Sequence, residues 1–447
     1  MYPVQYIAFA IFIFMMVFTV VNFRKSVLFW IPFHVLCNPI IALTFNPGIA
    51  VGIAVVSFQF GYYLLFVRTS TQSDTLNPDQ FVLKDVVGLC VFSFLISIAF
   101  ASVPISASLI PTLKYFILGF IPLFLFQKAL YSSEDIYFFI KCCIVVTLLT
   151  FSLGAIESVL HDNPYLDFLY LISPPDELEK GRMSYVPPFL FDYATNERFG
   201  LRRCYSFFGL HLLYGFASAC FFFMFAFLYT KKLLRLKMLY MIIIVGMCLG
   251  GVFFSNSKQA MLSVCVMFFA FYKVKDILNF KVIAPVIAVI AAVVIYAPDY
   301  LLNFVSLVDS DVAEEGGGSS VALRQSQGSV MFDLFMTNPI TGIGPGGNVW
   351  QVINNTSKYG GLMGSESVWL LVPSERGIIG VIAYLSIFKC FWSRLKNIIP
   401  TRILFFLLLS VFVAESAGGE KDMMLWGGVV IFVYRVYSLK GNENLNI

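Results

Sequence analysis

Four arginines and one carboxylate, Arg198, Arg202, Arg203, Arg324 and Glu366, are the residues of this chain whose types could do chemistry together. A guanidinium presents a planar fork of donors that binds phosphate oxygens bidentately and stays protonated at any working pH. Aimed at a diphosphate leaving group, such forks stabilise the charge that develops as a bond to it breaks. A carboxylate within hydrogen-bond reach of an acceptor hydroxyl takes its proton as the new bond forms. Together these residues suggest an anionic ligand at the outer face of a membrane enzyme. Arg202, Arg198, Lys258, Glu157, Glu375 and Arg376 are the expected substrate-binding residues.

Each has a plainer reading. Arg198 and Arg202 serve equally as headgroup anchors or surface charges. Glu366 before a helix stabilises it by ~0.3–1 kcal/mol with no catalytic role. Glu375 and Arg376, adjacent within an apolar run, fit a structural ion pair as well as a cavity wall. Facing lipid is disfavoured for them, because a charge at mid-membrane costs ~2.5–3.5 kcal/mol on insertion scales. Glu157 at the end of its span is a cavity candidate by the same argument, and Glu415, Glu420 and Lys421 read as an interfacial cap.

What positions these residues is a membrane. Hydrophobic residues make up 59% of the 447 and charged ones 13%, against about 45–50% and ~25% in soluble domains. The fold class is all-α: a polytopic membrane protein with about 12–13 transmembrane helices, each near the ~20 residues a span needs, and two large extracytoplasmic loops. The expected spans are Val4–Phe23, Ser26–Phe45, Gly48–Val67, Asp85–Val103, Tyr115–Leu130, Tyr137–Val159, Phe207–Thr230, Met238–Ser255, Ala260–Tyr272, Val282–Ala297, Ser367–Phe388, Ile403–Glu415 and Met424–Tyr437. Ser26–Val67 also reads as a re-entrant pair. The spans consume almost the whole chain, so residues 1–447 read as a single transmembrane domain with loops at 159–206 and 298–366.

Basic residues set the orientation. Arg24 and Lys25, Arg68 and Lys84, Lys231 to Lys237, Lys273 to Lys281, and Lys389 to Arg402 recur on alternate connections, which are then cytoplasmic. Both long loops fall outside the cytoplasm. The first span lacks a cleavage signature and reads as retained. The Phe221-Phe222-Phe223 triplet is expected to pack against acyl chains. Nine cysteines, mostly in apolar runs and without a CxxC pair or His/Cys cluster, disfavour disulfide frameworks and zinc sites. No metal and no cofactor are expected, and the charge of +4 gives no reason to invoke nucleic acid.

The second loop carries the densest pattern. Arg324-Gln325-Ser326-Gln327-Gly328 leads into an amphipathic stretch, Ser329–Met336, followed by Asn338-Pro339 and the turn Gly342-Ile343-Gly344-Pro345-Gly346. Proline ends the helix, and the glycines let backbone amides turn toward the inner face of the loop. Glu314-Glu315 and the following Gly/Ser run read as a hinge. Beyond Glu366, the next span holds Glu375-Arg376-Gly377 and Gly380.

An arginine entering a helix, Asn-Pro with a Gly-x-Gly turn, then a span carrying Glu-x-Gly-x-x-Gly resembles the O-antigen ligase and polymerase superfamily of bacterial envelope glycosyltransferases. Arg203-Cys204-Tyr205-Ser206-Phe207 resembles that family's first arginine motif, and Ser257-Lys258 stands where many members have Ser-Arg. The resemblance covers roughly Tyr137 to the end. Ligases of the family usually show His-Asn where this chain has Glu366-Ser367, and His34, His161 and His211 all lie elsewhere. That departure favours a Wzy-type polymerase, and the resemblance makes Arg203, Arg324 and Glu366 the expected catalytic set.

The resemblance implies a polysaccharide polymerase of the bacterial inner membrane, making O-antigen or capsule-type chains on its extracytoplasmic face. The growing glycan would move from polyprenyl (undecaprenyl) diphosphate to a lipid-linked repeat unit, with membrane lipids, a flippase and a chain-length regulator as partners. Nucleotide sugars, on the cytoplasmic side, are disfavoured as donors. Two alternatives stay open: a ligase moving glycan to lipid core or protein, and a lipid-linked oligosaccharide flippase. Transporters tend to show repeat-related halves with charges at mid-membrane, whereas here the charged loops are unequal and lie on one face.

Overall fold

The computed structural model describes residues 2–37, 40–45, 48–68, 84–173, 197–198, 201–208, 210–231, 233, 237–272, 302, 305, 309, 311–312, 321–355, 367–416 and 423–440. In chain order the elements are α1 (Pro3–Val21), α2 (Phe23–Phe33), β1 (Ala42–Phe45), β2 (Gly48–Ala50), α3 (Val51–Tyr62), α4 (Lys84–Ala99), α5 (Ile105–Tyr115), α6 (Ile121–Ala129), α7 (Ser133–Leu160) and α8 (Pro164–Leu171). There follow β3 (Glu197–Arg198), β4 (Leu201–Arg202), α9 (His211–Thr230), α10 (Met238–Phe254), α11 (Lys258–Phe271), α12 (Val321–Thr337), α13 (Gly347–Asn354), α14 (Val368–Leu395), α15 (Thr401–Ser416) and α16 (Met423–Lys440). β1 pairs with β2 and β3 with β4, both antiparallel.

Among the described residues, five helices are long and apolar enough to cross a membrane: Pro3–Val21, Ile105–Ala129, Ser133–Leu160, His211–Thr230 and Val368–Leu395. Shorter apolar helices accompany them. The molecule is an all-α polytopic membrane protein.

Two expected spans differ in detail. Ser26–Phe45 is not one helix: α2 ends at Phe33, a 3₁₀ turn covers His34–Leu36, and β1 begins the hairpin at Ala42. Pro32 near the end of α2 lacks the amide that a continuing helix would use. The span expected from Tyr115 begins ten residues sooner, at Ile105. Its serines and threonine look polar in sequence, yet Thr112 Oγ1 donates to the Ser108 carbonyl at 2.8 Å, which lets a hydroxyl sit inside a helix. Val282–Ala297 and Glu314–Ser320 lie outside the described residues. The stretch 298–366 holds helices α12 and α13, and α12 begins before Arg324 and runs on through the expected Ser329–Met336 segment.

The chain divides into two compact units. The first comprises Met1–Asn77, Ile117–Phe271 and Asp422–Ile447. In it α9 is the central helix, packed by α7, α10, α11 and α16. Phe221, Phe222 and Phe223 are all buried against protein, so they do not face acyl chains as expected: a helix surrounded on every side uses its whole circumference as core. Small residues permit this closeness. A Cβ on Gly215 would lie 2.3 Å from Ser255 Oγ, and one on Gly251 2.4 Å from Ser218 Oγ, the small-residue contact of membrane helix pairs.

The second unit comprises Pro78–Phe116 and Tyr272–Lys421. Its axis is α14, against which α4, α12, α13 and α15 pack. Met331, Leu334 and Ile343 form a small core with Leu370 and Leu371. Glu415 is buried rather than interfacial, and Glu420 and Lys421 lie outside the described residues.

Candidate functional site

In the first unit the polar centre is Glu157, in the last turn of α7, with no exposed surface. Its Oε2 accepts three hydrogen bonds of 2.8 Å each, from the backbone amides of Tyr205 and Ser206 and from Asn163 Nδ2. Its Oε1 lies 3.6 Å from Arg202 Nε, and both side chains are almost wholly excluded from solvent. Hydrogen bonds to a charged acceptor contribute about 1.5–3 kcal/mol each, against a desolvation penalty of several kcal/mol per buried ion. The surrounding donors are thus what make an ionised Glu157 tolerable there.

Asn163 completes the cluster. It caps α8 through Oδ1, which accepts from the amides of Tyr165 and Leu166, and its Nδ2 also donates to the Ser206 carbonyl at 2.9 Å. Ser206 takes a left-handed backbone, φ 53°, and its hydroxyl donates to the Thr150 carbonyl. The Cys204 amide donates to the Phe254 carbonyl at the end of α10. Residues 201–206 therefore form a strap clipped to α7 on one side and α10 on the other.

Along the strap, Arg202 and Cys204 are buried and Arg203 is half-buried. Arg202 is therefore neither a surface charge nor a headgroup anchor. Burial, reinforced by the Glu157 charge and opposed by Arg202, pushes the Cys204 thiol well above its ordinary pKa. Burial likewise raises the Tyr205 phenol, with Arg203 and Arg202 pulling it back. Lys258 opens α11, half-buried, beside Ser257, whose hydroxyl accepts from the Ala260 amide.

In the second unit the centre is a break in α14 at Gly377, φ 62° and ψ −163°. An unbroken helix would send the Ile378 and Ile379 amides to the carbonyls of Ser374 and Glu375. Instead they donate to Pro339 and Ile340, at 2.9 and 3.3 Å. The carbonyls of Ser374 and Glu375 accept from Ile343 and Gly344, at 2.9 and 3.0 Å. The break and the Pro339–Gly344 turn exchange partners, so no amide or carbonyl of this exchange is wasted. Irregular backbone inside a membrane protein survives only where protein or water satisfies it. The Ile343 and Gly344 amides are used in this clasp.

The clasp holds Glu375 and Arg376, both buried. Glu375 Oε1 accepts from the Asn348 amide at 3.4 Å, and Asn348 Nδ2 donates to Ser374 Oγ at 3.0 Å. The Arg376 guanidinium sits over the rings of Phe94, 4.6 Å from its centroid, and Tyr115, 5.4 Å. Gly380 leaves the room for it, since a Cβ there would lie 2.2 Å from Arg376 Cβ.

Arg203 thus lies in the first unit and Arg324 on α12 in the second. The side chains of Arg198 and Arg324, and the whole of Glu366, lie outside the described residues. Asn163 and Asn348 were not among the expected residues; Asn163-Pro164 ahead of an apolar run was the one available signal, an N-cap followed by proline at the first helical position. Asp309-Ser310-Asp311 is an Asp-x-Asp pair of exposed carboxylates in the second loop.

Apolar helices carrying buried polar clusters define a multi-pass membrane protein of the helical class. Within that class, residues 243–385 match the family model Wzy_C, O-antigen ligase. Over that stretch, about a third of the chain, the sequence is similar to the O-antigen ligase family. Lys258, Arg324, Glu366, Glu375 and Arg376 fall within the match; Glu157, Arg198, Arg202 and Arg203 precede it. No curated protein and no solved structure gave a match.

Proposed function

We propose that the protein is a polysaccharide polymerase of the bacterial inner membrane, working on the extracytoplasmic face as a single transmembrane domain. The acceptor is the terminal sugar of a polyprenyl-diphosphate-linked repeat unit, and the donor is the growing chain on a second polyprenyl diphosphate. The acceptor hydroxyl oxygen bonds to the anomeric carbon of the donor while the bond from that carbon to the diphosphate oxygen breaks. The electron pair leaves with the diphosphate, where Arg203 and Arg324 stabilise it. The hydroxyl proton passes to Glu366. Arg198 and Lys258 add positive charge for the diphosphate, and Glu375 and Arg376 shape the cavity.

The observation that carries this reading is Glu366-Ser367, inside the matched stretch, where ligases of the resembling family carry His-Asn. The description of the matched family, O-antigen ligase, favours a second reading in which glycan passes to lipid core or protein. Purified protein given a polyprenyl-diphosphate-linked repeat unit alone decides between them. A polymerase yields a ladder of lengthening lipid-linked chains; a ligase makes none until a core or protein acceptor is added. No new glycosidic bond under either condition would abandon both readings for transport.

A further inference from the structure

We propose that Glu157 and Asn163 are positioning residues for Arg203, and that Arg202, its neighbour, is part of the same lock and does not touch substrate. This rests on the reading of Arg203 as a diphosphate ligand.

The strap leaves the strand at Arg202, and from Arg202 through Arg203 to Cys204 burial alternates, as it does along extended backbone. Glu157 anchors Arg202 on the inner face, at 3.6 Å, and Cys204 follows it inward, with no exposed surface. Arg203, between them, is the one of the three that keeps partial exposure. The register of that alternation is held at one end. Oε2 of Glu157 gathers the amides of Tyr205 and Ser206, and Asn163 bridges Glu157 to the Ser206 carbonyl. The left-handed turn at Ser206 then sends the chain away from the strap. A slip by one residue would bury Arg203 and expose Arg202, so the lock decides which guanidinium is presented. Two adjacent arginines in a sequence look interchangeable; here their surroundings divide them into a fastener and a ligand. A guanidinium acting on a leaving group is sensitive to placement, since an error of about 1 Å can cost on the order of a hundredfold in rate.

The test uses Asn163→Ala and Glu157→Gln in the full chain, purified in detergent with polyprenyl-diphosphate-linked repeat unit as substrate. Two readouts are taken: KM for that substrate, and the rate at which a membrane-impermeant maleimide labels the native Cys204. Loss of folded protein lowers the apparent kcat but does not move KM. Release of the strap weakens the hold on the diphosphate and raises KM by about tenfold, the equivalent of about 1.4 kcal/mol of binding, and exposes Cys204. Because the lock acts through Arg203, the rise in KM disappears when either variant is combined with Arg203→Ala, the non-additivity of residues acting as a unit. Unchanged KM in both single variants, or effects that add to those of Arg203→Ala, overturns the proposal. Full activity of Arg203→Ala alone instead removes the reading of Arg203 as a diphosphate ligand, and the positioning role with it, whatever Cys204 shows.

Discussion

Gly377 lies against the carbonyl of Ile340 so closely that a Cβ on it would sit 2.3 Å from both carbon and oxygen. The contact is reciprocated: a Cβ on Gly342 would lie 2.2 Å from the Glu375 carbonyl carbon. Both glycines have φ near +60 to +70°, a region that costs other residues about 1–3 kcal/mol even with space available. Here there is none, because the neighbours are backbone. Gly377→Ala and Gly342→Ala should therefore each lower the stability of the second unit by more than about 3 kcal/mol, read as loss of monodisperse protein or a fall in Tm in detergent. A wild-type melting curve for both would mean that the two breaks do not interlock.

Removing Glu157 outright should be worse than neutralising its surroundings. Glu157→Ala leaves Arg202 and three donors without their acceptor, a change of about 3–5 kcal/mol for a broken buried pair. Replacing Glu157 and Arg202 together by leucine removes both ions and should recover part of that loss. Thermal unfolding of the single and double variants distinguishes the two, and equal stability would show that Arg202 is not held by the carboxylate.

Cys204 combines complete burial with a thiol held above its ordinary pKa. A free cysteine becomes reactive as pH rises through about 8.5. The sign follows: below that value both are protonated, and above it only the free thiol ionises. Alkylation of Cys204 in the folded protein should stay slow from pH 7 to 9, measured by mass spectrometry after quenching, and should accelerate on unfolding. Labelling that tracks pH as a free thiol does would place the strap in water.

Arg324→Ala should leave the protein inserted while glycan collapses to single repeats, and Glu366→Gln should act likewise. The length distribution of lipid-linked product reports both. Long chains at normal yield in the Arg324 variant would withdraw it from catalysis; unaltered turnover in the Glu366 variant would return that residue to helix capping.

Arg376 is seated over two aromatic rings. Arg376→Met keeps the length and loses the cation–π attraction, about 2 kcal/mol for a desolvated pair. A drop in Tm of that order, reduced in a Phe94→Leu background where the nearer ring is already missing, would be the signature of the contact.

The sequence by itself determined that this is a helical, multi-pass membrane protein, because apolar runs such as His211–Thr230 and Ser133–Leu160 must satisfy their backbones internally in lipid. It also determined the order of the motifs, Asn338-Pro339 and Gly-x-Gly ahead of Glu375-Arg376-Gly377, since proline and glycine carry their backbone restrictions wherever they stand. Which residues those motifs meet was not legible. That the Pro339–Gly344 turn trades hydrogen bonds with the break at Gly377, that Phe221 to Phe223 face protein, and that Arg202 is buried against Glu157, were decided only by the tertiary structure. Partners in such contacts are separated by tens of residues in the chain, and a residue's type states what it can bond to without stating what the fold will bring within 3 Å of it.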